Sequence, residues 1–367
     1  MARSSLQEVT LADTHALAIG AGILGTGGGG NTYIGRVWLE HELKKRGGSI
    51  PVIQVDDVPD DALTVAIGGM GAPTVGIEKF PKGDEYQNAV RALESHAGQK
   101  MFALVIGEIG GSNALRPIIC ALQMGLPVVD GDGMGRAFPE LQMDTFAIAG
   151  LSLTPMALSD VHGNVSILHQ ADSMYRVEAY ARSLTIEMGG SASLAMPMLK
   201  GKELKETIIR DTLTLARDMG DAVLKARKRG LEPSDDIAAL GHGRVLFRGK
   251  ITDVERRTTQ GFARGKLKLA AFGDPNDQME IVFQNENLVA WHNGEVVCTV
   301  PDLICIVSLE DGEPIGTEML RYGLRVAVLG MPAPRELKSV AALKVVGPEA
   351  FGYTEVTFAA MPGDLIG

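Results

Sequence analysis

Three apolar runs end in residues able to do chemistry. "LVIGE" delivers Glu108 and continues through Gly110, Gly111, Ser112 and Asn113. "PVVDGDGMGRAFPE" delivers Asp130, Asp132, Arg136 and Glu140, and "VAIGGM" runs into "GAPTVGIEK", with Thr74, Glu78 and Lys79. The carboxylates of Glu108, Asp130 and Asp132 could take a proton from water or hold a cation. Glu108 interrupts an apolar run just before a glycine pair, where a buried carboxylate is costly without a partner. A lone Asp after a strand is more often a turn or N-cap residue than a catalyst, which weighs on Asp132. Arg136 could simply pair with Glu140 one helical turn later, a weak surface contact. His162, His169, His242 and His292 show no metal-ligand spacing, and Cys120 lies in an apolar helical stretch that suits a core.

A different kind of site begins at "LGTGGGGNTY", where four consecutive glycines, Gly27–Gly30, precede Asn31. Such a run costs folding entropy unless something must approach the main chain closely. The nearby "GAGILG" matches GxGxxG, but helix-capping residues precede it, more glycines follow, and Glu40, the acid at the required count, falls inside a predicted helix instead of at a strand end. A Walker A lysine is also missing. What survives is a glycine loop feeding a helix at about residue 32. Its N–H groups suit a carboxylate, a phosphate or a heterocycle oxygen. The plain alternative is a flexible linker between two packed helices.

The elements that must position these residues follow from periodicity. Thr10 and Asp13 in "VTLADTHALAIGAGIL" predict a helix beginning near Leu11. "TYIGRVWLEHELKKRGG" predicts a second, with Lys44, Lys45 and Arg46 at its C-terminal end. Short apolar runs then alternate with helical stretches, which implies parallel strands with right-handed crossovers. Residues 1–168 thus form an α/β layered domain, and its strand-end loops should open on one side of the sheet. The remainder, 169–367, divides into a mostly helical connector at about 172–230, a β-rich, barrel-like or sandwich unit at about 236–345, and a C-terminal tail. "HNGE" inside it signals a hairpin.

The 367 residues suit two domains, and 45 of them are glycine, well above the usual share of about 7 %. A net charge of −10 argues against nucleic acid or an anionic membrane as partner. No run of 18 apolar residues and no cationic leader is evident. With three cysteines and no CxxC spacing, a cytoplasmic protein with reduced thiols is expected.

"GILGTGGGGNTY", "GGMGAPTVGIEK", "GEIGGSNALRP" and "GLPVVDGDGMGRAFPELQM" resemble a bacterial family named for S-methyl-thiohydantoin desulfurase, long catalogued as a domain of unknown function near hydantoinases and oxoprolinases. "FRGKITDVERRTTQGFARG", "PDLICIVSLEDGEPI" and "GPEAFGY" extend the resemblance over almost the whole chain. It implies a three-layer α/β/α sandwich followed by a β-barrel domain. It also implies hydrolysis at C2 of a five-membered thiohydantoin ring, in which methanethiol leaves and a hydantoin remains. On that basis Glu108 or Asp130 would activate the water or bind a divalent metal such as zinc, with Asp132 beside them. Ring recognition would fall to Gly27, Gly28, Gly29 and Gly30, to Asn31, Thr74 and Asn113, while Arg136 would hold a substrate carboxylate. No nucleotide cofactor is expected, and self-association is. Two alternatives stay open: a non-catalytic or regulatory partner of a hydantoinase or oxoprolinase assembly, and a dinucleotide-binding oxidoreductase using "GAGILG".

Overall fold

A computed structural model describes residues 4–71, 75, 79–259 and 262–366. The first sheet holds β1 (Glu8–Thr10), β2 (Ser49–Ile53), β3 (Leu63–Gly71), β4 (Ala103–Ile106), β5 (Val128–Asp132), β6 (Met156–Ser159), β7 (Val165–Leu168), β8 (Ser191–Lys200) and β9 (Ile209–Arg210). Their order is β1-β2-β5-β4-β3-β8-β6-β7, with β9 on the end of β5. The central pairs β2–β5, β5–β4 and β4–β3 are parallel and the outer pairs antiparallel.

β3 and β4 read as unbroken apolar runs because both their faces are covered. Val65, Ile67, Leu104 and Ile106 face one core, beneath α1 (Thr14–Leu24), α2 (Thr32–Lys45), α3 (Glu85–Ala97) and α4 (Leu115–Met124). Ala66, Ala103 and Val105 face another, with Phe146, Leu204 and Ile208. This is the expected α/β/α layering.

Two sequence expectations shift. α1 starts at Thr14 rather than near Leu11, because Thr10 ends β1 and Asp13 Oδ2 accepts bonds from the Thr10 N–H (2.8 Å) and hydroxyl (2.6 Å) to form a turn. The connector at 172–230 does carry α5 (Met174–Glu187) and α6 (Thr212–Arg229), but between them β8 enters the first sheet antiparallel to β3. The stretch "SASLAMPMLK" shows no period-2 alternation because it is buried on both faces, so it gave no clear strand signal.

The second sheet is wholly antiparallel: β10 (Arg244–Thr259), β11 (Phe262–Ala271), β12 (Asp274–Gln284), β13 (Glu286–His292), β14 (Glu295–Thr299), β15 (Leu303–Ser308) and β16 (Arg325–Met331). Its order is β14-β13-β12-β11-β10-β16-β15, and register shifts along it help curl it into a half-barrel. The β13–β14 turn places Asn293 and Gly294 at φ +50° and +86°, as the "HNGE" signal requires.

α1 and α6 lie between the two sheets. Leu303, Cys305, Val307, Leu329 and Met331 share a core with α1 and α6, whereas Ile304, Ile306, Val326 and Val328 fill the half-barrel. The two helices cross at Gly20 and Gly220. A Cβ on Gly20 would stand 2.8 Å from Ala216 Cα, and one on Gly220 would stand 2.7 Å from Ala16 Cα. The GxGxxG match therefore lies inside a helix, where its first glycine serves helix packing instead of a strand–turn–helix phosphate loop. Among the described residues, no helix is long and apolar enough to cross a membrane.

Candidate active site

A cleft of about 220 Å³ opens where the ends of β3 and β4 meet the glycine tract and the start of β13. Its lining includes Gly27–Gly30, Asn31, Gly69, Tyr86, Glu108, Asn113, Arg116, Ser193, Glu286 and Glu318.

The glycine tract is the densest part of the wall. Gly27, Gly29 and Gly30 adopt φ of +97°, +76° and +83°, a region other residues enter at a cost. The main chain is also pressed from two sides. A Cβ on Gly28 would come within 2.6 Å of Glu286 Cδ, and one on Gly29 within 2.8 Å of Gly111 N. Hydrogen bonds tie the tract at both edges: Thr317 N–H donates to Gly27 O (2.8 Å), and Ser112 N–H to Gly30 O (3.2 Å). The bare backbone therefore accommodates a second glycine loop and a carboxylate from the other half of the chain. Asn31 lines the cleft as well, and its Oδ1 caps α2 by accepting from Tyr33 N–H at 2.8 Å.

Glu108 is 7 % exposed at the end of β4. Its Oε1 accepts from Asn113 Nδ2 at 3.0 Å and its Oε2 from Phe138 N–H at 3.1 Å. Burial raises its pKa to about 7, and the nearby Asp132 charge adds to this, while the two hydrogen bonds and Arg116 oppose it. Asn113 also accepts from Gly69 N–H at 3.1 Å, locking the end of β3 to the Glu108 loop.

Glu286 was not singled out from sequence. It is 3 % exposed, and its carboxyl lies against Gly28. Burial pushes its pKa well above the usual carboxylate range, and the charge of Glu108 pushes it further, with Arg136 opposing. Its Oε2 is buried and bonds to no described residue. The one sequence signal was "QNENL", four polar residues where β12 ends and β13 begins, which reads equally well as a turn.

Three predicted site residues sit elsewhere. Asp130 points away from the cleft and caps α6: its Oδ1 accepts from Leu213 N–H (3.0 Å) and Thr214 N–H (3.1 Å), and its Oδ2 from the Thr214 hydroxyl. Asp132 Oδ2 accepts from Ile109, Met134 and Gly135 N–H groups at 2.8–3.0 Å, stapling the loop after β5 to the loop that carries Glu108. Arg136 is fully buried, and neither Glu140 nor the cleft receives it. It donates to Asp302 O (2.8 Å), Asn287 O (3.0 Å), Ala137 O (3.1 Å) and Thr26 Oγ1 (2.8 Å), so it holds main chain instead of a ligand. Thr74 lies outside the described residues.

One cation that does reach the cleft is Arg116, in the first turn of α4. Its Nη1 donates to the Tyr86 hydroxyl at 2.9 Å and lies against Gly69, where a Cβ would collide with it. As for zinc, no cluster of three or more His, Cys, Asp and Glu is placed to hold a metal ion among the described residues. Of the two candidate ligands, Glu108 lines the cleft while Asp130 is engaged at the start of α6.

Comparison with known proteins agrees with this architecture. The model of the S-Me-THD-like N-terminal domain matches residues 12–170, and that of the S-Me-THD-like C-terminal domain matches residues 171–361. A crystal structure of a protein from Chromobacterium violaceum superposes with a TM-score of 0.82 at 25 % identity, over 97 % of this chain and 100 % of that one. No curated protein matched. Matched by the two domain models in succession, the chain belongs to the S-Me-THD-like family.

Proposed function

We propose that the protein is a hydrolase that adds water to C2 of an S-methyl-thiohydantoin-type ring, releasing methanethiol and leaving a hydantoin. The observation that carries this is the pair Glu108 and Glu286, two buried carboxyls whose charges oppose each other in one cleft. Like charges held together in a dry site cannot both ionise easily, so one carboxyl keeps its proton while the other gives its up. Glu108, with a pKa of about 7, is the base, and Glu286, whose proton is held by burial and by the Glu108 charge, is the acid. Asn113 and the Phe138 N–H orient Glu108 and leave each oxygen a second lone pair for water.

The steps balance with these two groups. Glu108 takes a proton from water as its oxygen bonds to C2, and Glu286 protonates the ring nitrogen that receives the electron pair. The tetrahedral carbon then collapses: its hydroxyl proton passes to Glu286, C2=O forms, and the thiolate leaves with the proton held by Glu108. N–H groups of the glycine tract are suited to bind ring oxygens beside this carbon.

The test is thiol release from an S-methylated thiohydantoin. Glu108→Gln and Glu286→Gln should each lower kcat by roughly 10²- to 10⁴-fold, the usual worth of a general acid or base. The proposal fails if the wild-type protein releases no thiol from such rings, or if both variants keep full activity.

A further inference from the structure

Most charged side chains lining the cleft are committed within the chain. Lys79 Nζ donates to Met188 O at 2.7 Å, and Arg182 donates to Glu178 and Pro139 O while its guanidinium lies over the Phe262 ring. Glu85 accepts from Lys82 and Gly83 N–H groups, and Asp144 caps the turn at Thr145–Ile148. Arg116 is different. Among the described residues it makes no ion pair, and of its five donors only one Nη1 bond, to Tyr86, is made.

Its position is also electrostatically unfavourable. Arg116 stands in the first turn of α4, where the helix dipole is positive and a cation is disfavoured. The Tyr86 hydroxyl accepts from it, leaving the phenolic proton to donate, and Tyr86 is itself 5 % exposed. Gly69 keeps the main chain bare so that Arg116 Nη1 can lie against the end of β3. Glu108 is near enough for Arg116 to lower its pKa, yet no hydrogen bond or ion pair joins the two. A positive helix end, an unpaired guanidinium and a hydroxyl donor thus converge on one stretch of cleft wall, and what they lack is an anion.

We propose that Arg116 and Tyr86 form the specificity site for a carboxylate carried on the substrate ring. The proposal rests on the ring-hydrolase function above and narrows its substrate class to ring acids. A planar carboxylate matches the guanidinium fork, and the Tyr86 hydroxyl supplies a further donor. The group assigned from sequence to this task was Arg136, which the structure commits to main-chain carbonyls and Thr26; the proposal gives the task to Arg116.

Binding can be measured without turnover, which separates this proposal from the reaction itself. Calorimetry would compare a hydantoin carrying a carboxymethyl group with its primary amide. Wild-type protein should bind the acid about 10- to 100-fold more tightly, the usual worth of a hydrogen-bonded charge. Arg116→Gln should abolish that preference, Arg116→Lys should restore part of it, and Tyr86→Phe should reduce it several-fold with the thermal melt unchanged. Equal binding of acid and amide by wild-type protein, no binding of either, or a preference surviving in both Arg116→Gln and Tyr86→Phe would overturn the proposal. A preference for the acid in a protein that releases no thiol would leave this site standing while removing the hydrolytic function.

Discussion

Glu108, Asp132 and Asp144 each hold a carboxyl proton up to about pH 7, chiefly because burial penalises the charged form. A carboxyl that binds its proton more tightly in the folded chain than in the unfolded one favours folding while protonated. That contribution is complete below the ordinary carboxylate range and is lost as pH rises through about 7. Thermal melts should therefore show a midpoint several degrees higher near pH 5 than near pH 8, each kcal/mol being worth roughly 2–4 °C in a chain of this class. Glu108→Gln should flatten part of the slope, and a midpoint that rises with pH would contradict the assignment. The proposed reaction ties the rate to Glu108 as well. With Glu108 required ionised and Glu286 protonated, kcat/KM should pass through a maximum above an acidic limb near pH 7, both limbs belonging to the pair.

At the scale of elements, Asp130 shows how a strand end can serve a helix. It sits on β5, but its carboxylate meets the orphan N–H groups at the start of α6, a capping bond supplied from another element. α6 in turn holds α1 through the close crossing at Gly20 and Gly220, and the two helices support both sheets. Asp130→Asn should therefore cost about 1–2 kcal/mol of stability in denaturant titrations. Thiol release per folded molecule should stay within about twofold, since Asp130 does not line the cleft. A variant as stable as wild type but catalytically dead would return Asp130 to the reaction.

At the scale of the molecule, the cleft exists because its two halves are held in register. Arg136, from the first half, donates to Asn287 O and Asp302 O in the second and to Thr26 beside the glycine tract. Asn287 N–H returns a bond to Thr26 O at 2.8 Å, so Glu286 is carried against Gly28. Arg136→Met removes every one of these donors and leaves buried carbonyls unpaired. The expected loss is roughly 3 kcal/mol or more, read as a lower unfolding midpoint, with thiol release falling alongside it. Unchanged stability in that variant would show that the two halves do not need this arginine.

Local signals were enough for much of the molecule. The capped helix after Asn31, the parallel strands of the first half and the hairpin at Asn293–Gly294 all follow from periodicity, capping and turn chemistry, which act over a few residues. Glu108 was legible because a carboxylate inside an apolar run must be buried and must find partners. The glycine tract was legible as a place of close approach, though not what approaches: the neighbours are Gly110–Gly111 and Glu286 as well as a cleft. Asp130, Asp132 and Arg136 follow their strand just as catalytic residues would. Only side-chain direction, set by the packing of α6 and the second sheet, turned them to structural tasks. Glu286 and Arg116 carry no distinctive spacing, since a buried charge is made by what folds around it. The sequence by itself thus determined most of the elements and one buried carboxyl of the cleft, Glu108. The tertiary structure decided its partner, because burial and charge coupling are properties of neighbours far apart along the chain.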